Sequence, residues 1–448
     1  MDYNLILWEQ RIREEESARL QGYMTRWRYY NGEHPKPLKV KAGQADDNVI
    51  INLVRYIVDK GVSFLFGKEP VFELQEGETT AEEQVLSDIW RANRKMSFLS
   101  KVAVTGAVCG HCFIKIVPEG ALWSGQRYPR LVNIDPAYVT VMWSPEDVDD
   151  VWLYRISWTG MDEQQRPVHR REDIVRENGR WTVINYVAKG NGVYALDKAR
   201  PTIEWPYPWP PIIDCQNIPC PHVFYGLSDI EDLGLQDAIN FTASNIQRIL
   251  RYHAHPKTWG HGFTAQDVEI GPDEMLILPD ERGTLQNLEM SSDLSSSLAY
   301  LNTLLNRCLA MGRVPRLDPT EVSVGALSGF ALRILYGDLL EKNELKRRTY
   351  GDMLIELNRR LLEMMGAGAD NICTIHWPEP LPEDQSMTTA RDKFELDYKL
   401  ASMETVRARR GLDNEVEEQR MAAEEVASGN IGAVLLRNFE TMRTQQQG

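Results

Sequence analysis

Cys109-Gly110-His111-Cys112 has the spacing of a redox dithiol, whose first thiol becomes reactive when a helix N-terminus stabilises its thiolate. The flanking residues reverse that arrangement. Val102 to Val108 reads as the end of an apolar helix and Phe113 onward as a strand, so a turn with buried thiols is expected. A thiol oxidoreductase using Cys109 and Cys112 is the alternative from another functional class. Gly61 to Lys68 offers the glycines and lysine of a phosphate loop, but five residues separate Gly61 from Gly67, Glu69 occupies the magnesium-ligand position, and a helix precedes the segment. His253, His255 and His261 lack the neighbouring cysteine or spaced carboxylate that would complete a metal site. A chain with 65 carboxylates offers acidic pairs by chance, and none stands in a motif that fixes acid and base roles. The expectation is no enzyme, no cofactor and no metal.

The elements that would carry these residues fall into distinct regions. The first fifty residues read as a helix stopped by Tyr29-Tyr30-Asn31-Gly32 and the prolines at 35 and 37, and a second apolar helix spans roughly Asn52 to Phe66. From Phe113 to Ile213 short alternating runs such as Phe113 to Val117, Tyr138 to Met142 and Val151 to Tyr154 signal strands. A connector with seven prolines between Pro201 and Pro221 forbids helix or central strand.

Beyond it, Ser228 and Glu231 form a capping-box pattern, predicting a helix to about His253, ~39 Å long. Met275 to Leu278 and Thr284 to Gln286 read as short β pieces. A second helix opens near Ser292 with a narrow seam of Leu294, Leu298, Leu301, Leu305 and Cys308. After a Pro- and Gly-containing stretch from Val314 to Gly329, a third helix is predicted from Phe330 to Met365, roughly 54 Å long and ended by Gly366. Leu332, Leu335, Leu339, Met353, Leu357, Leu361 and Met364 mark its apolar face, with Arg333, Lys342, Lys346, Arg347 and Arg348 elsewhere. A strand at Ile372 to Trp377 and an acidic helical tail follow. Narrow seams on long helices predict packing against copies of the same chain.

Composition bounds the partners. With 448 residues, 43% hydrophobic and 26% charged, the chain can build two or three packed layers. The acidic N-terminal helix lacks a signal-peptide core, and no stretch reaches the ~20 apolar residues of a membrane span, so the protein is expected to stay in the cytoplasm where it is made, with no membrane partner. Six scattered cysteines are too few for a disulfide framework. A net charge of −15 is the wrong sign for gripping nucleic acid, so DNA either is not a partner or must pass without being held.

Several widely separated strings resemble the portal, or head-to-tail connector, family of tailed bacteriophages. They are Tyr29 to Gly32, Asn52 to Asp59 with Leu65 to Pro70, Gly226 to Glu231, Ser328 to Arg333 and Leu400 to Thr405. Their order and spacing carry the match; the proline-rich connector and the Cys-Gly-His-Cys turn are not family features. The resemblance implies an α+β, mainly helical portal fold that assembles as a ring around an axial channel at the capsid portal vertex of the virion, as a homo-oligomer, typically a dodecamer. It implies an N-terminal helical region at 1–50, a β-containing wing at 51–225 and a first stem helix at 226–253. A clip at 254–291, a second stem helix at 292–313 and a tunnel loop at 314–327 follow. The long wing helix and strand lie at 328–383 and a crown at 384–448.

The implied partners are double-stranded DNA in transit without sequence specificity, the terminase large subunit, head-completion (adaptor) proteins, and the major capsid and scaffolding proteins. A non-portal minor structural head protein is the nearer alternative. Twelve copies would carry a formal charge of roughly −180, which favours sliding of the duplex over gripping. Arg307, Arg313, Arg316 and Arg333, flanking the tunnel loop, are candidate channel contacts to phosphate. Val322 and Val324 are candidates for an apolar constriction. Asp267, Glu269, Asp273, Glu274, Asp280 and Glu281 would form an acidic rim for docking a basic partner surface.

Overall fold

The computed structural model describes residues 3–43, 45–75, 80–162, 164–188, 193–254, 258–261, 284–287, 294–316, 329–368, 371–381, 385–410 and 414–427. The fold is mixed helix and sheet. By contacts the chain divides into one unit of Met1–Gly325 with Arg333–Pro380 and another of Ala326–Leu332 with Leu381–Gly448.

The first unit opens with α1 (Tyr3–Tyr30) and α2 (Leu53–Phe66). Asn52 caps α2, its side chain accepting from the Arg55 amide at 3.0 Å. Strand β1 (Val71–Glu73) leads to α3 (Ala81–Ala92), capped by Thr80 with Glu82 and Glu83 in its first turn, and then to α4 (Lys95–Cys109). Helix α4 stops at Gly110, whose φ of +87° suits only glycine well. From there β2 (His111–Trp123) pairs with β3 (Gln126–Ile134) on one side and with β10 (Ile212–Gln216) on the other. The proline-flanked β10 is thus an edge strand, as proline chemistry requires.

A second sheet runs β4 (Val139–Trp143), β5 (Val151–Met161), β6 (Pro167–Glu177), β7 (Arg180–Ala188) and β8 (Tyr194–Leu196), with β9 (Ile203–Glu204) also on β7. Alternating burial along β5 and β7 sets its inner face. The core lies where α3, α4 and α8 (Gly337–Met364) meet these sheets, around Trp90, Leu99, Phe113, Ile114, Tyr350, Leu354 and Leu357. Trp90 Nε1 donates to Asn358 Oδ1 at 2.8 Å, so the one polar atom of that indole is satisfied inside. Strand β13 (Thr374–His376) returns to pair antiparallel with β1.

In chain order, α5 (Gly234–Ala254) and α6 (Leu294–Met311) follow the sheets and precede α8, separated by the antiparallel pair β11 (Thr258–His261) and β12 (Thr284–Asn287). The β reading at 284–286 falls on β12, whereas 275–278 lies outside the described residues. The second unit holds α9 (Gln385–Asp397), α10 (Met403–Arg409) and α11 (Asn414–Ala427), with Arg410 paired to the buried Asp392 at 2.7 Å.

Four expectations need correction. The helix predicted from the Ser228–Glu231 capping box begins at Gly234, not near Ser228, and its 21 residues span about 32 Å rather than 39 Å. The single helix from 330 to 365 is broken: α7 (Gly329–Leu335) ends before Tyr336, which is buried and stacks on Phe64 at 5.2 Å. Its C-terminal end is as read, because Gly366 takes φ +88° and the Ala367 amide donates back to Leu362 O at 3.0 Å. The seam on α6 is turned from the predicted one, with Leu304, Cys308 and Leu309 buried and Leu298 exposed. Lys342 and Lys346, read as lying off the apolar face of the long helix, are buried.

Candidate functional site

The segment Gly226 to Asp232 fastens α5 to the body. A helix leaves its last carbonyls without intrahelical partners, and this segment supplies donors to those of α4. Ser228 Oγ lies 2.8 Å from Ala107 O and 2.9 Å from Val108 O, and the Asp229 amide donates to Ala107 O at 2.9 Å. Glu231 accepts from the Ser228 amide at 2.7 Å, so half of the capping box is real while its hydroxyl is committed to another helix.

The Asp229 carboxylate is fully buried and stands between two ammonium groups, Lys346 Nζ at 2.6 Å and Lys342 Nζ at 3.2 Å. Asn217 Nδ2 donates to it at 3.0 Å, and Tyr350 donates to Asn217 Oδ1 at 3.2 Å. Lys342 also reaches Gly312 O, just past α6, at 3.4 Å. Burial alone would raise the Asp229 pKa, but the two lysines outweigh it and hold the group below the ordinary carboxylate value. Burial lowers that of Lys346, with Asp229 offsetting part of the effect. The start of α5 and the end of α6 line one cleft of about 310 Å³, which makes the two helices antiparallel.

Helix α5 carries a second fastening that the sequence reading missed. Gln236, Asn240 and Ser244 recur at four-residue spacing and are all buried. They accept in turn from the amides of Leu53 at 3.1 Å, Ile51 at 2.9 Å and Val49 at 2.9 Å. Three side chains thus replace a missing strand for an extended segment. Tyr29 Oη donates to Asp237 at 2.7 Å, and burial followed by that carboxylate pushes its pKa up to about 12. Asp47, also buried, lies 2.8 Å from Arg251 and 3.5 Å from Arg248. The signal available in the sequence was the polar stripe Gln236, Asn240, Ser244 itself.

Of the arginine candidates, Arg307 is exposed on α6 and Arg313 is exposed just past it, with φ +59°. Arg316 folds back on α6 and donates to Asn306 at 3.0 Å and Asn302 at 3.3 Å. Arg313 and Arg316 line a common cleft of about 250 Å³. Arg333 does not join them: it lies on α7, 3.6 Å from Glu379. Val322, Val324, Asp267, Glu269, Asp273, Glu274, Asp280 and Glu281 lie outside the described residues.

The dithiol stands as a turn between α4 and β2, with both sulfurs buried. Burial drives the Cys109 thiol far above its usual range, the opposite of what a redox thiolate needs. Cys112 Sγ faces Cys215 Sγ at 3.3 Å, and His111 bonds Asp214 at 2.9 Å. The phosphate-loop lookalike is helix: Gly61 is buried within α2.

Comparison with known proteins places these features. A family profile described as phage portal protein, SPP1 Gp6-like, matches residues 9–168 and 226–429. The unmatched stretch contains β7 to β10 and the proline-rich connector. No curated protein matches the chain. Among solved structures, the neck of an empty GTA particle computed with C6 symmetry is similar at a TM-score of 0.46 and 13% identity, covering 81% of this chain and 90% of that one. The virion of a native gene transfer agent (GTA) particle is similar at a TM-score of 0.42 and 13% identity, covering 87% and 93%. The neck of a native GTA particle computed with C12 symmetry gives 0.43 and 12%, covering 81% and 90%. Matched across α1 to β5 and again from the root of α5 into α11, this chain belongs to the phage portal protein family, SPP1 Gp6-like.

Proposed function

We propose that this chain assembles, twelve copies to a ring, into the channel at the unique capsid vertex through which double-stranded DNA is packaged and ejected. In this reading α5 and α6 are the stem, the segment between them with β11 and β12 is the clip, and 314–327 is the tunnel loop. The two sheets with α2 to α4 and α8 form the wing, and residues 384–448 the crown. Arg307, Arg313 and Arg316 steer passing phosphates without reading bases. Val322 and Val324 narrow the channel, and the acidic clip residues Asp267, Glu269, Asp273, Glu274, Asp280 and Glu281 dock the terminase motor and head-completion proteins.

The observation that carries this reading is the set of apolar side chains exposed on the stem pair. Phe241 and Leu250 on α5 are 52% and 46% exposed and Leu298 and Tyr300 on α6 are 48% and 57% exposed; each pair stands about half a turn apart around its helix, so both flanks carry apolar side chains that neighbouring copies on either side in a ring would cover. The tethering of α5 at Asp229 and along Gln236, Asn240 and Ser244 supports it further, because a channel wall must keep its angle to the body while DNA moves. Gly61 lies inside α2, and in this reading a partner motor supplies the energy for movement. Negative-stain imaging of the purified protein tests the proposal. Rings with a central hole are expected, and monomers or irregular assemblies overturn it.

A further inference from the structure

A cleft of about 640 Å³ lies at the N-terminal end of α4, against the β2–β3 hairpin. Its lining includes Arg94, Lys101 and Arg130 together with Asn93, Ser97 and Asn133, and no Asp or Glu. In a chain with 65 acidic against 50 basic residues, a carboxylate-free pocket with three cations runs against the composition. All three cations are exposed, and none has a carboxylate partner among the described residues. Arg94 precedes α4 at φ 55° and no side chain caps that helix, so the partial positive charge of its first turn adds to theirs. The floor is apolar: Phe98, Ala121 and Leu131 are buried there, and Leu122 stands 69% exposed at the rim.

We infer that this cleft is a docking site for an acidic, partly apolar peptide segment of a partner protein. Carboxylates of such a segment meet Arg94, Lys101 and Arg130, and its apolar side chains cover Leu122 and the floor. A nucleic-acid duplex fits less well. Its phosphates recur every ~1.7 Å along the axis and ask for a basic track, whereas these cations converge on one pocket, and a phosphate gains nothing from an apolar floor. The inference is independent of the channel proposed above, since it uses neither α5 nor α6.

The test is fluorescence anisotropy of the full chain with a short fluorescein-labelled peptide of Glu and Leu. Parallel arms use the same peptide with Gln for Glu and a labelled duplex DNA. The acidic peptide is expected to bind, with an affinity that falls as NaCl rises from about 50 to about 300 mM. Lys101→Glu with Arg130→Glu is expected to weaken binding at least about tenfold, and Leu122→Ser to weaken it less. Should the charge-reversed protein fold poorly by circular dichroism, Lys101→Gln with Arg130→Gln replaces it, and the salt series on the unmodified chain stands regardless. Equal affinity for the Gln peptide, unchanged affinity in the variants, or binding of duplex DNA in place of peptide overturns the inference.

Discussion

Asp229 and Lys346 meet at 2.6 Å in the interior, 117 residues apart in the chain, and with Lys342 they join the root of α5 to α8 and the end of α6. One carboxylate facing two ammonium groups holds only while all three stay in register. Asp229→Ala strands two buried cations and is expected to cost about 3–5 kcal/mol, lowering the thermal midpoint by several degrees. Replacing all three with Leu, Met and Met should recover most of that loss, because no charge then remains buried. The sign of the pH effect follows from the depressed Asp229 pKa. Its contribution is complete above the ordinary value of 3.8 and is lost as pH falls through the lower folded value, so wild type should lose stability in acid more steeply than Asp229→Asn. Scanning fluorimetry across pH 2–7 measures both.

Gly110→Ala probes the docking of the Gly226–Ser228 run on the end of α4. Beyond its φ of +87°, an added Cβ would come within 2.4 Å of Gly226 O. Gly125→Ala is the control, with φ +82° and nothing within 4 Å. Both should destabilise by roughly 1 kcal/mol for the backbone, and Gly110→Ala by clearly more, read as the difference in thermal midpoint.

Thiol accessibility follows burial. Cys109, Cys112 and Cys215 are buried, and burial raises the thiol pKa of both Cys109 and Cys215, while Cys220 is half-buried. In native protein at pH 8, iodoacetamide followed by mass spectrometry should mark Cys220 first and the other three only after denaturation. No insulin reduction is expected, and rapid native labelling of Cys109 would revive the dithiol reading.

Leu298→Glu with Tyr300→Glu places charge on two opposite flanks of α6, at side chains that are about half exposed and outside the buried core. The expected outcome is an unchanged melting profile for the subunit and fewer rings, measured by light scattering and negative stain. Rings at wild-type yield would overturn the proposal that these flanks of α6 meet neighbouring copies.

Val322→Asp with Val324→Asp should allow ring assembly and reduce packaged or retained DNA, measured as DNase-protected DNA per particle. Unchanged packaging would dismiss the constriction.

Local signals in the sequence were legible where the physics is local. The apolar run from Asn52 to Phe66 is α2, Gly366 ends α8, and the alternating runs after Phe113 are strands. Misreadings occurred where a distant partner decides. Lys342 and Lys346 are solvated residues by every local rule, and only Asp229, more than a hundred positions earlier, makes their burial tolerable. Ser228 and Glu231 satisfy the capping-box spacing, yet the open carbonyls of Ala107 and Val108 claim the hydroxyl and delay α5 to Gly234. The break at Tyr336 follows from its stacking on Phe64, a contact between chain-distant residues. Of the candidate site residues, Arg313 and Arg316 converge, and the polar stripe that holds α5 was present in the sequence without a visible target.

The pairing of β1 with β13 sets a schedule for biosynthesis. Glu73 and His376 are 303 positions apart, so at ~5–20 residues per second β1 leaves the ribosome roughly 15–60 s before its partner strand exists. Within that interval Gly106 waits for Tyr350, whose hydroxyl fills the space beside it. The core around Tyr350 therefore closes late, and the nascent chain carries an open apolar face for most of its synthesis. A chain stopped before α8 lacks Tyr350, Leu354, Leu357 and Leu361, so the apolar side chains of α3, α4 and the first sheet that they cover would stay open to water.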